Sequence, residues 1–187
     1  GLNGIHLGPG ATSSVLGDVS DGRVLSSGSA VDGIHILAAN VQVVSAYVGI
    51  TPVDGTADGG NVKHGIGNGY HGINIGTTAT DCTIGHQDAP PTVVGASTHL
   101  GIAIFAPNAK ILNVYSGVGS NGTAIVANKE HGIYIDSKAS NCMIGDASAG
   151  AAGLVVASGN MESGILVEDA ASTHIENAYA GVGNDGA

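Results

Sequence analysis

The chain has little of what most globular proteins use to build cores and binding sites. Its 187 residues include no tryptophan, one phenylalanine, two cysteines and five prolines. Only 11% of the residues are charged, and 15 acidic residues against five basic ones give a net charge of −10. This shortage of basic residues argues against binding to nucleic acids or anionic membranes. There is no run of about 18 apolar residues, so the sequence predicts no membrane insertion.

What the chain has in abundance is glycine, at 32 of 187 residues against a usual share of about 7%. Glycine followed by isoleucine opens a similar phrase at six places, which are Gly4-Ile5, Gly33-Ile34, Gly72-Ile73, Gly101-Ile102, Gly132-Ile133 and Gly164-Ile165. The phrases lie about 30 residues apart. Self-similarity at this period indicates a solenoid, in which each unit is stable only against its neighbours.

The units alternate between two kinds. Odd units read GINIGTTATDCTIGH, as from Gly72, and even units read GIAIFAPNAKILNVYSG, as from Gly101. The true repeat is therefore a pair of units, and three pairs, roughly 1–68, 69–128 and 129–187, fill the chain. With 43% apolar residues, we expect one domain with a continuous core.

Within each unit, apolar residues alternate with polar or small ones, which is the period of a strand and not of a helix. Short strands in tandem units without intervening helices stack in parallel, each on its copy about 4.8 Å away. The sequence thus predicts an all-β fold, a right-handed parallel β-helix (β-solenoid) of about six coils in three two-unit repeats. The predicted core ladder is Ile5, Ile34, Ile73, Ile102, Ile133 and Ile165.

A second column of the repeat predicts a shared corner. Aligning the units on their second apolar strand brings together small polar residues that tolerate left-handed backbone and bond their own main chain. This predicted turn ladder consists of Ser13, Asn40, Asp81, Asn108, Asn141 and Ser172.

Two phrases carry a resemblance to a known family. Gly72-Ile73-Asn74-Ile75 with Cys82-Thr83-Ile84-Gly85, and Asn141-Cys142-Met143-Ile144-Gly145, resemble the right-handed parallel β-helix repeats of the pectate-lyase-like superfamily. The likeness is greatest to the glycine- and asparagine-rich arrays of large secreted or cell-surface proteins, and it extends over essentially the whole chain. This scaffold hosts lyases, hydrolases, adhesins and passive filaments, so the resemblance implies a fold more than an activity.

Cys82 and Cys142 occupy the same column in successive odd units. One even unit separates them, which places them two coils or about 9.6 Å apart. A disulfide needs Cα atoms about 4.4–6.8 Å apart, so we predict two small thiols packed in the core.

Candidates for catalysis or metal binding are scattered. A glycosidase needs two carboxylates about 5–10 Å apart across a groove. The resemblance implies that an enzyme of this fold would use either an arginine base or paired aspartates. Here Arg23 is the one arginine and no two aspartates are adjacent.

The insertion from residue 51 to 71 contains possible metal ligands. His64 and His71 with Asp54 or Asp58 offer nitrogen and oxygen atoms that zinc accepts, and calcium at the two aspartates is the alternative. Neither spacing matches an established signature, so we predict no enzyme, no cofactor and no assigned metal site.

The remaining features suggest a structural role outside the cell. Asn121-Gly122-Thr123 is a glycosylation sequon in a turn. The sequence shows no capping segment, and the tail 182–187 matches residues 118–123, which lead into another Gly-Ile unit. We therefore expect a building block of an extracellular filament, surface fibre or adhesin stalk that stacks head to tail on itself or continues in a longer array. The alternative is a carbohydrate-binding or polysaccharide-processing β-helix with a lateral groove near the 51–71 insertion.

Overall fold

The computed structural model of the chain describes residues 2–20, 22–50 and 67–181. Strands of two or three residues follow one another along these ranges: β1 (Ile5–Leu7), β2 (Val15–Leu16), β3 (Val24–Ser26), β4 (Ile34–Ile36), β5 (Gln42–Val43), β6 (Ala46–Val48), β7 (Ile73–Ile75), β8 (Thr83–Ile84), β9 (Thr92–Val94), β10 (Ile102–Ile104), β11 (Lys110–Ile111), β12 (Val114–Ser116), β13 (Ile133–Ile135), β14 (Met143–Ile144), β15 (Val155–Ala157), β16 (Ile165–Val167), β17 (His174–Ile175) and β18 (Ala178–Ala180). Two short 3₁₀ turns lie within Ala147–Gly153.

The strands form three parallel sheets of six strands each. Sheet A has the order β1-β4-β7-β10-β13-β16, sheet B contains β2, β5, β8, β11, β14 and β17, and sheet C contains β3, β6, β9, β12, β15 and β18. Every third strand along the chain is thus a neighbour in the same sheet, so one strand from each sheet makes a coil. The fold is a three-sided parallel β-helix of six coils, which confirms the all-β solenoid predicted from the sequence.

The core is a set of apolar columns in strict register. The isoleucines that follow the repeated glycines are partners in neighbouring strands of sheet A, from Ile5 with Ile34 to Ile133 with Ile165. The four inner members are fully buried, whereas Ile5 and Ile165 in the outer coils are partly exposed. Each buried isoleucine contributes about 1.5–3 kcal/mol by leaving water, and the strands are too short to be stable without this burial.

The corner between sheets A and B is alike in all six coils. The six residues of the turn ladder all have left-handed backbone, with φ between 56° and 63°. Asparagine, aspartate and serine accept this conformation more readily than other residues with a Cβ because their side chains bond locally. Asn108 Nδ2 also donates to Asp81 Oδ1 at 3.0 Å, which links two neighbouring coils at this corner.

The corner between sheets B and C alternates. Odd coils make long side loops here, whose described residues are 17–20 with 22–23, 85–91 and 145–154. Even coils turn within two residues, at 44–45, 112–113 and 176–177. Since each loop lies beside a tight corner, the two kinds of coil can pack together along this edge.

The outer face of sheet C is apolar and partly covered. Tyr47 and Val93 on neighbouring strands are buried and pack with Ile50 and Val126. A second cluster joins Val118 and Leu154 to Val156. Residues 117–126 turn back on themselves, with an antiparallel bridge between Val118 and Ile125, so this hairpin covers part of the face.

Cys82 and Cys142 are free and buried in the central core. They precede β8 and β14, which are separated in sheet B by β11. Burial raises the pKa of both thiols. Both therefore serve as small apolar core residues at neutral pH.

Candidate functional site

Polar and aromatic side chains concentrate on the outer face of sheet A and the corner that leads into it. Because side chains alternate along a strand, the middle residue of each three-residue strand points outward. We call the resulting group the imidazole–aromatic strip, and it comprises His6, His35, Tyr70, His71, Asn74, His99, Phe105, His131 and Tyr134. It contains five of the eight histidines of the chain.

Asp32 is the hub of the strip in the first three coils. Asp32 is buried, with 2% of the residue exposed. Oδ1 accepts a hydrogen bond from the backbone N–H of His71 at 3.2 Å, and Oδ2 accepts one from Asn74 Nδ2 at 3.1 Å. The backbone N–H of Asp32 donates to Asn3 Oδ1 at 3.1 Å. No lysine or arginine is among these partners, so neutral donors from neighbouring coils stabilise the buried charge.

His35 lies against this hub. Its Nδ1 is 3.5 Å from Asp32 Oδ2 and 3.2 Å from Asn3 Nδ2. Burial lowers the pKa of His35, and the Asp32 carboxylate opposes that effect. The His35 ring is therefore neutral at physiological pH, and Asn3 of the first coil contacts it at Nδ1.

His71 is the most buried ring of the strip, with 4% exposure. Tyr70 and Phe105 lie against it, at centroid distances of 4.0 Å and 6.4 Å. Burial lowers the pKa of His71 to about 4, and the Asp32 carboxylate opposes the shift. His71 Nδ1 and the nearby Asn74 Oδ1 are buried atoms without a protein hydrogen-bond partner. His71 is thus an uncharged packing residue with one free ring nitrogen.

Carboxylates accompany the strip in the later coils. His99 Nε2 is 3.9 Å from Glu130 Oε1, and His131 Nε2 is 3.1 Å from Glu162 Oε2. Each pair joins one coil to the next. These side chains are partly exposed and a histidine forms an ion pair only when it is protonated, so each pair contributes at most about 1 kcal/mol.

The aromatic rings form a mixed polar and apolar surface on sheet A. Tyr70 is exposed and lies 4.2 Å from the His99 ring. Phe105 and Tyr134 are 6.0 Å apart, and Ala103, on the strand between β7 and β13, is fully buried although it points outward. Tyr134 donates its hydroxyl proton to Glu168, and this hydrogen bond raises the pKa of the tyrosine well above its ordinary value. The rings therefore cover the backbone and present their edges and faces to solvent.

Of the metal candidates in the sequence, Asp54, Asp58 and His64 lie outside the described residues. His71 faces the Asp32 hub, as given above. Among residues 2–20, 22–50 and 67–181, no group of three histidine, cysteine, aspartate or glutamate side chains is placed to hold a metal ion. The residues of the insertion stay candidates for zinc or calcium.

Two aspartates in the side loops have local roles. The carboxylates of Asp18 and Asp146 each accept hydrogen bonds from the hydroxyl and the backbone N–H of the serine two residues later. These bonds lower the pKa of both carboxyls. The two residues thus form equivalent turns in the first and fifth coils, and both carboxylates have a structural role.

Asn121 of the glycosylation sequon lies at the tip of the 117–126 hairpin and is exposed. Its Oδ1 accepts hydrogen bonds from the backbone N–H groups of Thr123 and Ala124, at 3.1 Å and 3.0 Å. A glycan on Nδ2 would leave this acceptor oxygen in place. Modification of Asn121 stays a prediction.

Sequence reasoning missed the Asp32 hub, because its partners come from three coils. The only signal was that Asp32 is the one acid in the column of residues that precede the repeated glycines, otherwise Asn3, His71, Leu100, His131 and Ser163.

Comparisons with known proteins add nothing to this description, since no family model, curated protein or solved structure matches the chain. Within the part of the chain that the structure describes, no helix has the length and apolar character needed to cross a membrane.

Proposed function

We propose that the chain is a structural β-solenoid segment of an extracellular filament, surface fibre or adhesin stalk, and that copies stack through their outer coils. The observation that carries this proposal is the unbroken register of all three sheets through six coils. Low charge and abundant small residues support an extracellular setting.

The outer strands provide the means of association. Among the described residues, β1, β2 and β3 on one side, and β16, β17 and β18 on the other, each have a single strand neighbour. Unpaired strand edges pair readily with another chain. The first coil is of the odd kind and the sixth is even, so stacking the first on the sixth continues the alternation. Such a contact is heterologous and builds open filaments.

Negative-stain electron microscopy of the purified chain tests this proposal, with Val167→Lys as the variant and Leu166→Lys as its control. Val167 packs against the core at the edge strand β16, whereas Leu166 is the outward residue of the same strand. An inward lysine blocks edge pairing. We expect filaments from the wild-type chain and Leu166→Lys, and short rods from Val167→Lys. Monomeric wild-type rods at high concentration would contradict the proposal.

We propose carbohydrate binding at the imidazole–aromatic strip as a second candidate function. The exposed Tyr70 beside His99, with Glu130 next to that histidine, supports it, since aromatic faces and carboxylates together suit sugar rings and their hydroxyls. Affinity electrophoresis in neutral polysaccharides tests this candidate. We expect retardation that Tyr70→Ala abolishes and that Tyr179→Ala, on sheet C, leaves intact; equal mobility of all three proteins would exclude it.

A further inference from the structure

The first two coils place two imidazoles side by side. His6 and His35 are register partners in β1 and β4. Their ring centroids are 5.2 Å apart, with planes at 83°. His6 is exposed and the His35 side chain is 24% exposed, so an ion in solvent can reach both rings. Neutral imidazole is a preferred ligand of copper, nickel and zinc ions.

Behind His35 stands the kind of partner that supports a metal-bound histidine. A ligating histidine usually donates its second ring N–H to a carboxylate, which fixes the tautomer and raises the basicity of the ligating nitrogen. The nearly buried Asp32 places Oδ2 at 3.5 Å from His35 Nδ1. The Asn3 amide nitrogen, at 3.2 Å from His35 Nδ1, competes with Asp32 for this atom. With a metal at Nε2 the single ring proton would lie on Nδ1, which would donate a hydrogen bond to Asp32 Oδ2, so no proton would be lost overall.

His35 Nε2 lies towards the third coil. A Cβ at Gly76 would be in van der Waals contact with this nitrogen, at 3.6 Å, and the glycine removes that contact. Asn74 is the next residue in the column of His6 and His35. Its Nδ2 is fixed by Asp32, while its Oδ1 has no protein partner.

We propose that His6 and His35 bind a divalent late transition metal ion, copper(II) more tightly than nickel(II) or zinc(II), with Asp32 positioning His35 and water completing the coordination. The order of affinity follows the intrinsic preference of nitrogen ligands for these ions. Two protein ligands make a weaker site than the four of a structural zinc site, which agrees with the lack of a three-ligand group among the described residues. This site differs from the zinc or calcium candidate at the 51–71 insertion.

Copper(II) titrated into the full chain at pH 7.5 and followed by electron paramagnetic resonance tests the site. We expect the first equivalent to show two directly bound imidazole nitrogens. His6→Gln and His35→Gln should each lower the affinity at least about tenfold and leave a one-nitrogen spectrum. Asp32→Asn should also weaken binding about tenfold while keeping the two-nitrogen spectrum, because it acts only through His35.

His174→Gln is the matched control, since His174 lies on sheet B beside a carboxylate, 3.0 Å from Glu176. We expect wild-type copper affinity and spectrum from this variant. Thermal melting of each metal-free variant shows whether the coils are intact. A first-equivalent signal that survives in both His6→Gln and His35→Gln, or that His174→Gln removes equally, would overturn the proposal.

Discussion

Odd and even coils close the corner between sheets B and C by opposite means. In odd coils the corner opens on a glycine with φ of 81–85°, at Gly17, Gly85 and Gly145. In even coils it contains a polar residue with φ of 48–53°, at Ser45, Asn113 and Asn177. The glycines leave room for the neighbouring coil, and the polar residues form hydrogen bonds to it.

The two sets meet across the coils. A Cβ on Gly85 would lie 1.6 Å from the backbone oxygen of Leu112, which immediately precedes Asn113. Asn113 Nδ2 in turn donates to the backbone oxygens of His86 and Ala89 in the odd-coil loop, at 3.1 Å and 2.7 Å. Asn177 holds the loop of the fifth coil in the same way, through Asp146 and Gly150. The difference teaches that the corner between sheets B and C is built by two coils together, since neither kind of corner is complete alone.

The largest effect is expected from Gly85→Ala. The new Cβ would overlap backbone of the next coil, and alanine at φ of 85° is strained as well. We expect a loss of at least about 4 kcal/mol in the free energy of unfolding, measured by urea denaturation. The control is Gly28→Ala, where φ is 69° but no atom lies within 4 Å of the Cβ, and it should cost only about 1–2 kcal/mol. Equal losses would show that the close approach is unimportant.

Asn113→Ala breaks the same corner from the even side. It removes two hydrogen bonds to loop carbonyls and leaves alanine at φ of 51°, so we expect a loss of about 2–3 kcal/mol. Asn113→Gly removes the bonds but keeps the backbone relaxed, and should recover about 1 kcal/mol. If glycine recovers the whole loss in urea denaturation, the side-chain bonds to the odd-coil loop contribute nothing.

His71→Leu sharpens the comparison at sheet A, because the next, even coil has Leu100 in the same column. The pKa of His71 is about 4 in the fold, below its ordinary value of 6.5. The unfolded chain therefore binds this proton more tightly, and stability falls as pH falls from 6.5 towards 4, by about 1.4 kcal/mol per unit. We expect His71→Leu to lose roughly 2 kcal/mol less than wild type between pH 7 and pH 5. Parallel pH profiles of unfolding free energy would refute this.

The smallest effect is expected where odd and even coils are alike. Asn108→Gly, in the corner between sheets A and B, keeps a residue that tolerates φ of 63° and removes one exposed hydrogen bond to Asp81. The change in unfolding free energy should stay within about 0.5 kcal/mol. A loss as large as that of Asn113→Ala would mean that the shared corner couples coils as strongly as the alternating one.

The sequence predicted the parts of the fold that repeat. Ile73-Asn74-Ile75 shows the strand period directly, and Asn108 or Asn141 marks a corner because few other residues accept left-handed backbone. The alternating corner had a weaker signal of the same kind, since Ser45, Asn113 and Asn177 all stand two residues before a tyrosine.

The candidate site was less predictable because it depends on what differs between coils. His6 and His35 were readable as outward residues, but the burial of His71 depends on Tyr70 and Phe105 from different coils. Likewise, the cover on sheet C by Val118 and Val126 results from an irregular hairpin that no period describes.

The stacking of coils has a mechanical consequence. The hydrogen bonds of all three sheets join one coil to the next, so they run along the long axis of the solenoid. Tension applied through the two ends of the chain loads the outermost coil first and peels coils away singly, because each coil is held only by its neighbours. A coil of about 30 residues would lengthen the chain by roughly 100 Å when released. A fibre built this way would yield in steps of that length and would absorb work at each one.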